Sequence, residues 1–100
     1  MDDISNLINF LTDLKDDILH IDDSQDINLI SIKNQLIDDV DCIMDKCFTN
    51  DIDEVIEAYM DRWNGPCIVR ELDIDIKIKM LIIADWKIIG MYLLRYLKNK

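Results

Sequence analysis

Glycine and proline are almost missing from this chain, with two of the first and one of the second in one hundred residues. That scarcity removes whole classes of chemistry. A phosphate-cradling loop, a nucleophile elbow and an EF-hand calcium loop each need glycine at fixed positions, and Gly65 and Gly90 supply none of these patterns. The loop from Thr49 to Glu54 has alternating side-chain oxygens, but neither the central glycine nor the distal glutamate of a calcium loop.

Histidine occurs once. His20 has Asp16 and Asp17 within one turn, yet it falls on the polar face of a first helix without convergent partners, and it reads as a solvated residue and not a general base. The three cysteines, Cys42, Cys47 and Cys67, leave one thiol over in any pairing within a chain, and none of the short Cys-x-x-Cys spacing of zinc sites is present. The chain opens Met-Asp-Asp, with no basic segment leading into an apolar run as a secretory signal has. Free buried thiols in a reducing, cytoplasmic setting are therefore expected, with no metal, no cofactor and no catalysis.

Positive charge is scarce where negative charge is dense. Residues 1–54 hold fourteen Asp and one Glu against three Lys, a net of −12, whereas residues 55–100 carry a net of +2, and the two halves sum to −10. Direct nucleic-acid binding needs a basic footprint and is not expected. An acidic face has two readings, a solvated helix surface or a site for a basic partner. Aspartate outnumbers glutamate eighteen to three and isoleucine is the commonest residue. Helix propensity would favour Glu over Asp, so the bias points to an A+T-rich coding sequence.

With half its residues apolar and about a third charged, the chain suits one compact helical domain over residues 1–100. Ile4, Leu7, Ile8, Leu11, Leu14 and Ile18 recur at three and four, predicting a helix over 3–21. Ile21 to Asp26 breaks it, with Ser24 or Asp26 available to cap a second helix over 27–48. That helix turns Leu29, Ile32, Leu36, Ile37, Val40, Ile43, Met44 and Cys47 inward, and one edge of it carries an acidic stripe, Asp38, Asp41 and Asp45. A third helix starts at Asp51, with Glu54 three residues on, and carries Ile52, Val55, Ile56, Tyr59, Met60 and Trp63 as one stripe. Asn64-Gly65-Pro66 should end it, glycine taking the left-handed position. Over 71–79 the strict alternation of Leu72, Ile74, Ile76 and Ile78 with charged residues suits a strand, which would have to pair with another copy as no second strand candidate exists. The acid-before-base pairs Asp73–Lys77 and Asp75–Lys79 suit a helix, and the helix is preferred.

The run from Met80 to Leu97 is the most apolar in the chain, with fourteen apolar residues of eighteen. On a helix, Ile82, Ile83, Trp86, Ile89, Leu93, Leu94 and Leu97 fill an arc of about 140° without charge. Gly90 lies within that arc and needs a close neighbour to justify it. As a helix the run would be ~27 Å long, near a membrane span, but Asp85 and Lys87 inside it would each cost ~2.5–3.5 kcal/mol at the bilayer centre. The expectation is an all-α fold of four to five amphipathic helices around this central, buried C-terminal helix, with no membrane span.

Surface recognition is what remains for function. Tyr59, Arg62 and Trp63 are of the types that dominate interface hot spots, although Tyr59 and Trp63 would equally serve to anchor the third helix to Met80–Leu97. The stretch IDEVIEAYMDRWNG, Ile52 to Gly65, resembles the acidic, apolar, Tyr-then-Trp early-helix pattern of intracellular poxvirus proteins with the B-cell-lymphoma apoptosis-regulator fold. The Asp- and Ile-rich, Glu-poor composition is similar to theirs as well. The resemblance implies an all-helical protein that antagonises host innate signalling or apoptosis by protein contacts, and it assigns no binding residue. Three functions are thus expected in order: a viral or phage antagonist that binds a protein partner, a charge-mimic inhibitor or immunity protein using Asp38, Asp41 and Asp45, and a structural or assembly subunit, with a homodimer open.

Overall fold

The computed structural model describes residues 3–22, 26–62 and 64–97, with Asp3 and Tyr96 described by backbone alone. The described residues form five α-helices and no strand: α1 (Asp3–Leu19), α2 (Ile27–Cys47), α3 (Ile52–Met60), α4 (Gly65–Arg70) and α5 (Ile76–Met91), which runs on into a π-helical turn, Tyr92–Leu97. They pack into an elongated body of 44 × 21 × 21 Å.

The helix starts follow from local hydrogen bonding. Asp26 accepts from the backbone N–H groups of Asn28 and Leu29 at 2.9 and 3.3 Å and opens α2; Ser24 lies outside the described residues. Asp51 does the same for α3, accepting from Asp53 and Glu54 at 3.0 and 3.4 Å, and two acids follow in the first turn where the helix dipole favours them. Between α2 and α3 the chain reverses through Asn50, at φ 57°, a left-handed conformation that asparagine tolerates better than most residues. Asp75 caps α5 by accepting from the Lys77 N–H at 2.8 Å.

This last cap resolves the ambiguous stretch. Residues 71–75 are turn and bend, and the helix expected over 71–79 exists only from Ile76 onward. The Asp75 carboxylate is spent on the backbone, and the Lys79 ammonium reaches the Arg70 carbonyl at 3.1 Å. A second expectation is corrected at Gly65. Helix α3 ends at Met60, before Asn64, and Gly65-Pro66 begins α4 with proline in its first turn, where its missing N–H leaves nothing unpaired. Neither glycine takes a positive φ.

Both glycines serve close packing around one aromatic pair. Tyr59 and Trp86 lie with ring centroids 6.4 Å apart, and the Tyr59 hydroxyl donates to the Trp86 carbonyl at 3.1 Å. A β-carbon on Gly65 would stand 2.5 Å from the Trp86 indole, and one on Gly90 would stand 2.4 Å from the Tyr59 oxygen. The close neighbour that Gly90 required is therefore a phenol. This cluster ties α3, α4 and α5 together.

The core is continuous and apolar: Leu7, Leu11, Leu14 and Ile18 from α1, Leu36, Val40, Ile43 and Cys47 from α2, Val55 from α3, Val69 from α4, and Ile82, Trp86, Ile89, Leu93 and Leu97 from the C-terminal run. Helix α1 packs on α2 with one side and on α5 with another, while α3 bridges α2 and the π-helical turn. Phe10 meets Tyr92 edge-on, with centroids 5.2 Å apart, and closes α1 onto that turn. The all-α expectation holds, but α1 is the helix sandwiched between two long partners. Helix α5 lies at the side of the body, buried along Ile82, Trp86 and Ile89 and open along the opposite arc.

Candidate functional site

The residues singled out for recognition separate into different roles. Arg62 follows α3 and turns back over α2. Its guanidinium donates to the Ala58 carbonyl at 3.0 Å and to the Cys42 sulfur at 3.1 Å, and its Nε lies 3.4 Å from an Asp39 oxygen. It is a strap between the two helices. Beside it opens a cleft of about 350 Å³ lined by Cys42, Lys46, Glu54, Glu57, Asp61 and Arg62. Glu54, Glu57 and Asp61, spaced three and four, form an acidic edge on α3, and that spacing was readable in the sequence.

Tyr59 is turned inward, 9% exposed, with its hydroxyl used on Trp86 and its phenol pushed upward from the usual range by burial. It serves as an anchor, one of the two roles open to it. Trp63 lies outside the described residues.

Of the acidic stripe, Asp38 and Asp45 are exposed, while Asp41 is half-buried and bonded to the Lys15 ammonium of α1 at 2.8 Å. The middle charge is thus largely offset. His20 is exposed on α1, with Nδ1 2.7 Å from the Asp16 carbonyl. The thiols differ: Cys47 is buried and pushed up to about 11 by desolvation, Cys42 is half-buried against Arg62, and Cys67 is exposed, so the expectation of buried thiols holds for one of three. Among the described residues no group of three His, Cys, Asp or Glu is placed to hold a metal ion.

A further acidic contact joins α1 to α5. Asp85 is half-buried, and its Oδ2 is sealed from water without a donor among the described residues. Its pKa is pushed up to about 7, first by burial, then by a hydrogen bond to Asp17 and by the negative charges of Asp17 and Asp13.

The surface with the clearest capacity for binding is the outward arc of α5, which the sequence reading placed indoors. Met80 is 63% exposed, Ile76 61%, Met91 54%, Leu81 51% and Ile88 47%. With the exposed Ala84 these fall in one arc of about 140° on the helix, opposite Ile82, Trp86 and Ile89. Lys77, Lys87 and Arg95 stand in or beside that arc, while on its α1 side Asp13 and Asp85 flank Ile88 and Asp17 flanks Leu81. Next to the arc, Tyr59, Gly90, Met91 and Leu94 line a shallow, mostly apolar depression of about 370 Å³ whose rim carries Lys87 and Arg95. The signal for this surface lay in α5 having no polar side at all. No helix among the described residues is long and apolar enough to cross a membrane. No family model matches the chain, and no curated protein sequence or solved structure matches it either.

Proposed function

We propose that this chain is a non-catalytic protein-binding module whose working surface is the outward arc of α5, and that it acts in a reducing, cytoplasmic setting as a virus- or phage-encoded antagonist of a host defence or signalling protein. One observation carries the binding reading: five large apolar side chains on one helix stand about half or more exposed in a single arc, while the other side of that helix is already in the core. Contiguous apolar surface rimmed by charge marks interaction sites on folded proteins. The viral part of the proposal leans on the Asp- and Ile-rich, Glu-poor composition and on the resemblance of Ile52–Gly65 to poxvirus proteins.

The charge-mimic reading has less support. A mimic of nucleic acid needs a row of unneutralised carboxylates, and Lys15 offsets the middle member of the Asp38, Asp41 and Asp45 stripe. Affinity capture from host cells with mass spectrometry separates the two, using wild type, a Met80→Glu, Met91→Glu pair and an Asp38→Asn, Asp41→Asn, Asp45→Asn triple. The expected result is a set of proteins retained by wild type and by the triple variant and lost from the α5 pair. Retention by the α5 pair and loss from the triple variant would overturn the proposal.

A further inference from the structure

The depression beside Gly90 differs in charge from the rest of the α5 surface. Asp13, Asp17 and Asp85 border the outward arc on its α1 side, next to Leu81 and Ile88. The depression opens on the other side, towards α3, where Tyr59, Gly90, Met91 and Leu94 give it apolar walls and Lys87 and Arg95 its rim. Asp85 stands about 160° around the helix from Lys87, across roughly 10 Å of backbone and side chain. Among the described residues no acid lines the depression. The sequence has the same local bias: residues 87–100 hold Lys87, Arg95, Lys98 and Lys100 and no Asp or Glu, in a chain of net charge −10.

We infer that this depression binds a small amphiphilic anion, an aliphatic monocarboxylate, with its chain against Met91 and Leu94 and its carboxylate at Lys87. The inference does not rest on a protein partner for the arc. With no side chain at Gly90, the Tyr59 phenol closes against the α5 backbone, and the surface dips between Lys87 and Leu94. The polar group of Tyr59, its hydroxyl, is already donated to the Trp86 carbonyl at 3.1 Å. The floor therefore has no donor left for a ligand, and the part of a ligand that lies on it must be apolar. Lys87 is exposed, with no hydrogen-bond or ion-pair partner among the described residues, and its ammonium has donors for an anionic head. A volume of about 370 Å³ is at the small end of the ~300–1,000 Å³ range of ligand sites, which suits a short chain. Charge complementarity decides among occupants of this size: a neutral amphiphile leaves Lys87 unmatched and a cationic one is repelled. An anionic bilayer matches Lys87, but it also meets the acidic residues of α1 and α2, which a single free carboxylate does not.

The test is titration of decanoate, below its micelle-forming concentration, into the full chain with isotope-labelled methionine methyl groups, followed by nuclear magnetic resonance. The Met91 signal should move and saturate, while those of Met44 and Met80 stay in place. Octanoate should bind several-fold more weakly, because each buried methylene adds to the affinity. Decanol should bind about threefold more weakly than decanoate, and decyltrimethylammonium should give no saturable shift. Lys87→Met keeps the aliphatic stem and should weaken decanoate about threefold, as for loss of one exposed ion pair, while leaving decanol unchanged. Met91→Glu should abolish decanoate binding. Met80→Glu, roughly 16 Å along the helix from Met91, should leave it unchanged, so the ligand site and the protein-binding surface fail separately. All three substitutions lie on exposed positions, and circular dichroism checks that each variant keeps its helix content. Equal affinity for decanoate and decanol overturns the inference, as does a Lys87→Met chain that binds decanoate as wild type does. Shifts at Met44 and Met80 that grow together with Met91 and never saturate would mean nonspecific partition and overturn it too. So would sedimentation with phosphatidylserine vesicles that is lost in Lys87→Met, in a chain showing no saturable shift with decanoate, which would assign the depression to a bilayer.

Discussion

Helices α2 and α5 are both long and both bury one side in the same core, yet they treat water in opposite ways. Beyond Ile27 at its start, which is 80% exposed, the outer side of α2 carries Asn34, Gln35, Asp38 and Asp45, all exposed, and polar groups of this kind need nothing beyond solvent. The outer side of α5 carries Ile76, Met80, Leu81, Ile88 and Met91, exposed just as fully. A helix with one apolar stripe is finished once that stripe is covered. Helix α5 has two, one on each side, and the fold covers only one. The difference teaches that apolar content alone does not measure burial, because the core of a hundred-residue chain can cover only so much of any one helix.

The largest effect should come from treating the two sides of the C-terminal run separately. Leu93 is fully buried, and Leu93→Ala should cost about 2–5 kcal/mol by lost transfer energy plus the cavity left behind. Met80→Ala, on the outer arc, should stay within about 0.5 kcal/mol. Equal losses in chemical denaturation would show that the arc is part of the core and remove the comparison. Next in size are the glycines. Gly90→Ala sets a β-carbon 2.4 Å from the Tyr59 oxygen and Gly65→Ala sets one 2.5 Å from the Trp86 ring, so overpacking should cost about 1–3 kcal/mol at each despite the gain in helix propensity. Tyr59→Phe combined with Gly90→Ala should recover part of the loss at Gly90 and none at Gly65, since the hydroxyl is the nearest atom at the first, with the ring carbon behind it at 3.0 Å.

How much of this was legible without coordinates depends on what kind of signal each part leaves. The core stripes of α1 and α2 were readable because a residue at three-and-four spacing has one side to face, and Leu11, Leu36, Val40 and Cys47 are all buried. The caps at Asp26 and Asp51 were readable because a carboxylate before a helix has a local job. Gly65-Pro66 misled because the pair is compatible both with ending a helix and with beginning one, and the choice was made by Trp86, twenty-one residues away in sequence, packing on the glycine. The outer arc of α5 misled because periodicity reports which residues agree with one another, and in a helix apolar all round they agree everywhere. Arg62 was singled out for interface recognition, and its guanidinium is held by Asp39 and Cys42 of another helix, a pairing that no local pattern announces.

The seam between α1 and α5 carries a pH dependence. In the folded chain the Asp85 pKa is raised from 3.8 to about 7. Its folded form holds a proton that the unfolded chain has released, so its contribution to stability is full below about pH 4, declines as pH rises through neutrality and is gone above about pH 8. Because Asp85 is only partly buried, solvent screening leaves a small effect, and Asp85→Asn should raise the thermal midpoint at pH 8 by a few degrees while leaving it nearly unchanged at pH 4. The charges that face it, Asp13 and Asp17 of α1, give the control: Asp17→Asn should shift the same transition to lower pH. A midpoint for Asp85→Asn that tracks wild type between pH 4 and pH 8 would mean that the seam is wet and the proton is not held.

The smallest effect belongs to the acidic side of α2, and it sharpens the comparison from the other end. Asp41 bonds to Lys15 across the α1–α2 seam at 2.8 Å, with both side chains a third or more exposed. An exposed pair of this kind contributes about 0.2–1 kcal/mol. Asp38 and Asp45 lie on the same edge, fully in solvent, and Asp38 stands one turn from Asp41 in a like-charge spacing that costs a few tenths of a kcal/mol. Asp41→Asn should therefore destabilise slightly, and Asp45→Asn should be neutral or slightly stabilising. Added salt should shrink both differences, because exposed charges at these distances are screened within a Debye length of about 8 Å at physiological ionic strength. Denaturation of the two variants in low and moderate salt checks this directly. A loss above about 2 kcal/mol for Asp41→Asn, persisting in salt, would make the Lys15 contact a desolvated pair, well above the range for exposed ones. The outer side of α2 would then be structural and not merely solvated, and its contrast with α5 would have to be drawn from the apolar residues alone.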